Sequence, residues 1–118
     1  MIRTVDVKEI TENIREMCIA ANHVLSPDMG RALNRAVRSE ESPLGRQILG
    51  QLEENLEIAA EEMIPICQDT GMAVVFLEVG PDVHLEGGSL EDAVTDGVRR
   101  GYAAGFLRKS VVKDALTR

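Results

Sequence analysis

The sequence predicts an α+β fold, mainly helical in its N-terminal half, followed by a small β-sheet and a further helix. Three observations predict it. Apolar residues recur at helical spacing over residues 10–63. A β-branched apolar run fills residues 73–79, and a capping pair, Ser89 with Asp92, opens another helical stretch. At 118 residues the chain has room for one small domain, read over 1–118.

The elements follow in order. Ile10, Ile14, Met17, Ala21 and Val24 step by 4, 3, 4 and 3, one face of a first helix, with Asp6 and Glu9 as a capping pair at its start. Ser26-Pro27 starts the second helix, serine as N-cap and proline at the first helical position. Met29, Leu33, Ala36 and Val37 form its short stripe. The same device recurs at Ser42-Pro43, and Leu44, Ile48, Leu52, Leu56, Ala59 and Met63 line a third helix that Pro65 stops. Its outer face carries Glu53, Glu54, Glu57, Glu61 and Glu62 and is read as solvated.

The texture changes at residue 65. Ile66 to Gly71 is a loop by composition, and Ala73 to Val79 is read as a buried strand. Gly80-Pro81-Asp82 turns the chain into a short second strand, Val83 to Leu85, before a helix from about residue 90 to 108. Two strands do not make a stable sheet alone, so the domain reads as incomplete. Gly97, Gly101 and Gly105 fall on one face of the last helix. Each costs about 1 kcal/mol against alanine, so another backbone or a bound group must come close. A helix-packing ridge is the expected reason.

Charge narrows the partners. Thirteen Lys and Arg against 20 Asp and Glu give a net −7 and a pI near 4.8, which argues against nucleic acid and anionic membranes. Residues 1–80 carry the whole deficit. Residues 97–118 hold Arg99, Arg100, Arg108, Lys109, Lys113 and Arg118 against Asp114 alone. That basic corner either attracts a small anion or complements a helix C-terminus, and charge alone favours the second. No run of about 20 apolar residues is present, and no signal-peptide pattern opens the chain. Two cysteines, Cys18 and Cys67, make no disulfide framework. A reduced, cytoplasmic protein is expected.

Cys67 is the residue with chemical promise. It lies in a polar loop, followed by Gln68, Asp69, Thr70 and Gly71. These supply an amide, a carboxylate that can transfer a proton, a hydroxyl, and a permissive backbone position. Its thiolate suits a soft metal or an iron–sulfur cluster, or a nucleophile, and a plain buried thiol is the third reading. Cys18, His23 and His84 are read as structural. One thiolate does not hold a cluster.

A resemblance carries the reading further. Pro65-Ile66-Cys67-Gln68-Asp69-Thr70-Gly71 resembles the cluster-binding motif of the iron–sulfur (class I) fumarate hydratases and their tartrate dehydratase relatives. Met72 to Gly80, Gly101 to Ser110 followed by Val111-Val112, and Ser42-Pro43-Leu44-Gly45 are similar to further segments of the N-terminal part of that family's α subunit. The resemblance implies a hydro-lyase of the tricarboxylic acid cycle that interconverts fumarate and (S)-malate, or dehydrates a related 2-hydroxy dicarboxylate such as tartrate. The wording of Leu107 to Ser110 favours fumarate. It also implies a 4Fe–4S cluster whose open iron acts as a Lewis acid. By motif, Cys67 is a cluster ligand and Gln68 and Asp69 bind the substrate, Asp69 also acting catalytically. Arg108 pairs with a substrate carboxylate, a task that suits a guanidinium. Thr70 and Gly71 shape the loop, and Lys109 and Ser110 are weaker candidates.

The family's α subunit continues past position 118 with two further cluster cysteines, and a β subunit or C-terminal catalytic domain supplies other groups. The resemblance therefore implies an N-terminal portion, inactive alone, that works in an oligomer. Two other readings stand beside it. One is a non-catalytic helical module that assembles through the glycine ridge; the other is a reactive thiol at Cys67.

Overall fold

Serine caps and paired backbone turns set where the helices of this chain begin and end. The computed structural model describes residues 1–117. Its elements run β1 (Arg3–Asp6), α1 (Val7–His23), α2 (Pro27–Ser39), α3 (Pro43–Glu62), β2 (Val83–Glu86) and α4 (Leu90–Ala104). This is the expected α+β class. Ser42 Oγ accepts the Gly45 N–H at 3.2 Å, and Ser89 Oγ accepts that of Asp92 at 3.4 Å. Asp6 Oδ1 accepts the Lys8 N–H at 2.9 Å and opens α1. Ser26 occupies its N-cap position without capping. Its hydroxyl bonds the Asp28 carboxyl and, with the N–H groups of Asp28 and Met29, holds that exposed acid below its ordinary pKa.

The chain divides into two compact units, Met1–Ile19 with Gln68–Arg118, and Ala20–Cys67. In the first, β1 and β2 pair in parallel with Arg3 opposite Val83 and Asp6 opposite Glu86. Val7, Ile14, Ala93 and Leu107 are its buried apolar residues. The glycine ridge of α4 lies against α1. A Cβ on Gly97 would stand 2.7 Å from the Thr11 carbonyl oxygen, and one on Gly101 2.8 Å from Cys18 Cβ. Thr11 Oγ1 donates to the Ala93 carbonyl at 3.0 Å across the same seam. Arg100 bridges Glu12 at 2.9 Å and Asp96 at 2.6 Å. In the second unit α2 packs along α3, and Asn34 Nδ2 donates to Glu53 Oε1 at 3.1 Å.

Four expectations are corrected. The buried face of α1 is Val7, Thr11 and Ile14, while Met17, Ala21 and Val24 are exposed. Close approach to Gly97 and Gly101 decides which face is covered. Along α3 only Ala59 is buried, and Leu44, Ile48, Leu52 and Met63 stay exposed. Residues 73–79 form no ladder among the described residues, and Val74 and Phe76 are 70% and 91% exposed. β2 takes β1 as its neighbour instead, a strand hidden in the first six residues. Finally, α4 ends at Ala104 rather than near 108.

That last end has a specific cause. The Leu107 N–H donates to the Tyr102 carbonyl at 3.0 Å and the Phe106 N–H to that of Ala103 at 3.5 Å, with Phe106 at φ 54°. This is a Schellman motif with phenylalanine in the left-handed position that usually takes glycine. It reverses the chain and buries Leu107. α3 closes in the same way at Met63, φ 53°, with the Ile64 N–H donating to the Ala59 carbonyl at 3.1 Å. Among the described residues no helix is long and apolar enough to cross a membrane.

Candidate functional site

The reversal after α4 carries residues 107–110 back onto the loop at 69–71. Three hydrogen bonds hold the two pieces together. The Arg108 N–H donates to Thr70 Oγ1 at 3.0 Å, and Tyr102 Oη donates to the Gly71 carbonyl at 3.2 Å. The Ser110 hydroxyl donates to Asp69 Oδ1. Burial, and then the nearby charge of Cys18, push the Tyr102 phenol above its ordinary pKa, so it remains a donor to the loop. Gly71 sits at φ 73°, a backbone angle that favours glycine.

Beside this junction lies a cavity of about 610 Å³. Ala73, Val75, Val94 and Val98 give it apolar walls, and Lys109 and Ser110 stand at its polar side. The basic corner resolves into two groups. Arg99 pairs with Asp96, and Arg100 pairs with Asp96 and Glu12. Among the described residues Arg108, Lys109 and Lys113 make no ion pair, and Arg118 lies outside the described residues. The last turn of α4 holds no basic residue, which corrects the expectation that the corner serves a helix C-terminus. Asp114, the one acid of the corner, accepts the N–H groups of Leu116 and Thr117, which lower its pKa.

Cys67 is exposed and closes the second unit. Two asparagines fix the residue before it. Asn55 Nδ2 donates to the Ile66 carbonyl at 3.0 Å, and the Ile66 N–H donates to the Asn22 carbonyl at 2.8 Å. Gln68, Asp69 and Arg108 are likewise exposed. Sequence reasoning did not single out Asn55 or Tyr102, and it ranked Ser110 low. Polar residues on helices carry no local sign of a distant loop partner. Ser110 did stand in the Leu107–Ser110 block, which was the available signal.

Cys18 is different from Cys67. It packs in the α1–α4 seam, and burial raises its thiol pKa. A raised pKa leaves less thiolate at any pH below it, and the thiolate is the reactive form. Iodoacetamide at mildly alkaline pH is therefore expected to modify Cys67 at least about tenfold faster than Cys18. Peptide mapping of the labelled chain measures it. Equal rates would mean that the seam opens readily.

A carboxylate held by the Ser110 hydroxyl, an exposed neighbouring amide and the exposed Arg108 and Lys109 thus gather where the loop at 68–71 meets residues 108–110, with Lys109 and Ser110 lining the cavity. A sequence profile for fumarate hydratase (Fumerase) matches residues 11–118. A Methanocaldococcus jannaschii protein provisionally named L(+)-tartrate dehydratase subunit alpha is 31% identical over 105 residues, 88% of this chain and 37% of that protein. The anaerobic class I fumarate hydratase of Escherichia coli K12 is 37% identical over 71 residues, 60% of this chain and 13% of that protein. The chain belongs to the fumarate hydratase family. It spans little more than a third of the first relative's length and about an eighth of the second's.

Proposed function

We propose that these residues form the N-terminal portion of the α-subunit region of an iron–sulfur hydro-lyase. The whole protein adds water to fumarate to give (S)-malate, or removes it from a related 2-hydroxy dicarboxylate such as tartrate. The observation that carries the reading is the joining of Asp69–Gly71 to Tyr102–Ser110, blocks 31 to 41 residues apart. The assembly reading loses ground because the glycine ridge is already covered by α1.

In the net reaction, hydroxyl goes to one alkene carbon and a proton to the other. Arg108 pairs its guanidinium with a substrate carboxylate. Gln68 donates its amide N–H to a carboxylate or hydroxyl oxygen. Asp69 takes or returns the proton at the substrate hydroxyl, and Ser110 fixes the carboxylate for that transfer. Cys67 is one thiolate ligand of a 4Fe–4S cluster. The described residues hold no set of three His, Cys, Asp or Glu donors close enough for a metal. Cys18 is committed to the seam. Residues 1–117 thus fit one ligand position and not a complete cluster site. The other ligands, and a β subunit or C-terminal domain, come from outside these residues, and the complex works in the cytoplasm.

The test is turnover of fumarate and of tartrate by the whole protein containing this chain, with and without Cys67→Ser. Loss of an outer-shell partner of a metal site costs about 10–100-fold, so loss of a ligand is expected to exceed about 100-fold. Undiminished activity in Cys67→Ser would remove the ligand assignment. The fumarate-to-tartrate ratio of the unmodified protein identifies the substrate.

A further inference from the structure

Residues 72–79 carry a feature that the site above does not use. Seven of these eight residues are apolar, and Glu78 is the single charge. From 71 to 80 the backbone contains no helix, turn or bend, and among the described residues no strand pairs with it. Successive residues of an extended chain face opposite ways. Here Met72, Ala73 and Val75 line the cavity, while Val74 and Phe76 stand 70% and 91% exposed. A strand that is apolar on both faces is built to be buried on both. Left bare, its unpaired N–H and C=O groups and its low charge invite another strand.

We propose that residues 72–79 are a docking edge for a β-strand supplied by the rest of the family protein, the same polypeptide layer closing the cavity beside Val75. Three observations select that occupant over a second copy of this chain. The M. jannaschii relative has ample polypeptide outside the matched region, which is only 37% of its length. Two copies joined edge to edge would pair the backbone and still leave the cavity wall beside Val75 bare. Each copy also carries a net −7, which opposes self-association. The incoming strand gains main-chain hydrogen bonds along the edge, and apolar side chains behind it fill the hollow.

The proposal goes beyond the hydro-lyase reading and is tested without turnover, so an inactive protein with a protected edge would separate the two. Amide hydrogen exchange is measured on the 118-residue chain by itself. It is then measured on the longest polypeptide of the source organism that contains it or, where the rest is a separate chain, on the complex with the polypeptide carrying the remaining family match. Amides of 73–79 are expected to exchange at least about 100-fold more slowly in the second sample. Val75→Pro removes a ladder donor and is expected to erase that protection, whereas Val75→Thr keeps it. Equal exchange in both samples, or no association between the two chains, overturns the proposal. So does protection in the dilute 118-residue chain. Protection that grows with concentration while the chain sediments as a dimer assigns the edge to a second copy and overturns it too.

Discussion

Gly101→Leu is expected to unfold the first unit, or to destabilise it by about 3 kcal/mol or more. The reason is what a side chain there would meet. Its Cβ would stand 2.8 Å from Cys18 Cβ, 2.9 Å from the Arg15 carbonyl oxygen and 3.3 Å from Arg15 Cα. Two of these are backbone atoms, which cannot rotate aside. The loss is a large fraction of the roughly 5–15 kcal/mol that holds an ordinary domain together. A pair of alanine variants isolates the cause. Gly50 lies in α3 with nothing within 4 Å of its Cβ position, so Gly50→Ala should stabilise by about 1 kcal/mol through helix propensity. Gly101→Ala makes the same chemical change and should destabilise. Urea unfolding of the three variants gives the signs. A Gly101→Leu chain as stable as the parent would mean that α1 does not cover the ridge, and the assembly reading would return.

If the whole protein is the proposed hydro-lyase, Asp69→Asn should lower its kcat/KM by roughly 10²–10⁴-fold, the usual contribution of a positioned proton-transfer group. Asparagine keeps an Oδ1 that can accept from the Ser110 hydroxyl, so the junction between the two blocks survives. The substitution removes the proton chemistry and leaves the scaffold. Ser110→Ala does the reverse, removing one hydrogen bond from a carboxylate that remains able to exchange a proton, and about tenfold is expected for losing that orienting contact. Measuring kcat and KM for both variants separates the two roles. Full activity in Asp69→Asn would leave Asp69 without a catalytic part.

Much of the helical framework was legible. Ser42-Pro43 and Ser89 with Asp92 act within three or four residues, so their caps appear in the structure where the sequence places them. The spacing of Gly97 and Gly101 announced a close approach, and α1 makes it. Which face of α1 is buried was not legible. Ile10–Ile14–Met17 and Val7–Thr11–Ile14 are both at helical spacing, and the choice is made by α4 from more than 80 residues away. Residues 73–79 have the composition of a buried strand, but a ladder needs a neighbour. β1, by contrast, becomes a strand only because β2 lies beside it.

The candidate site divides along the same line. The order Cys67-Gln68-Asp69-Thr70-Gly71, the Leu107–Ser110 block and the family to which they point are properties of the chain read from end to end. So are the charge, the cap sites and the glycine period. Only the tertiary structure decided that Asp69 meets Ser110 and Thr70 meets the backbone of Arg108. It also decided that Arg100 is spent on Glu12 and Asp96, while Arg108 and Lys109 remain beside the loop. The physical reason is that caps and periodicities are settled within one or two turns of chain. Bringing groups some 40 residues apart into contact depends instead on how α4 seats on α1 and where its Schellman turn at Phe106 redirects the backbone.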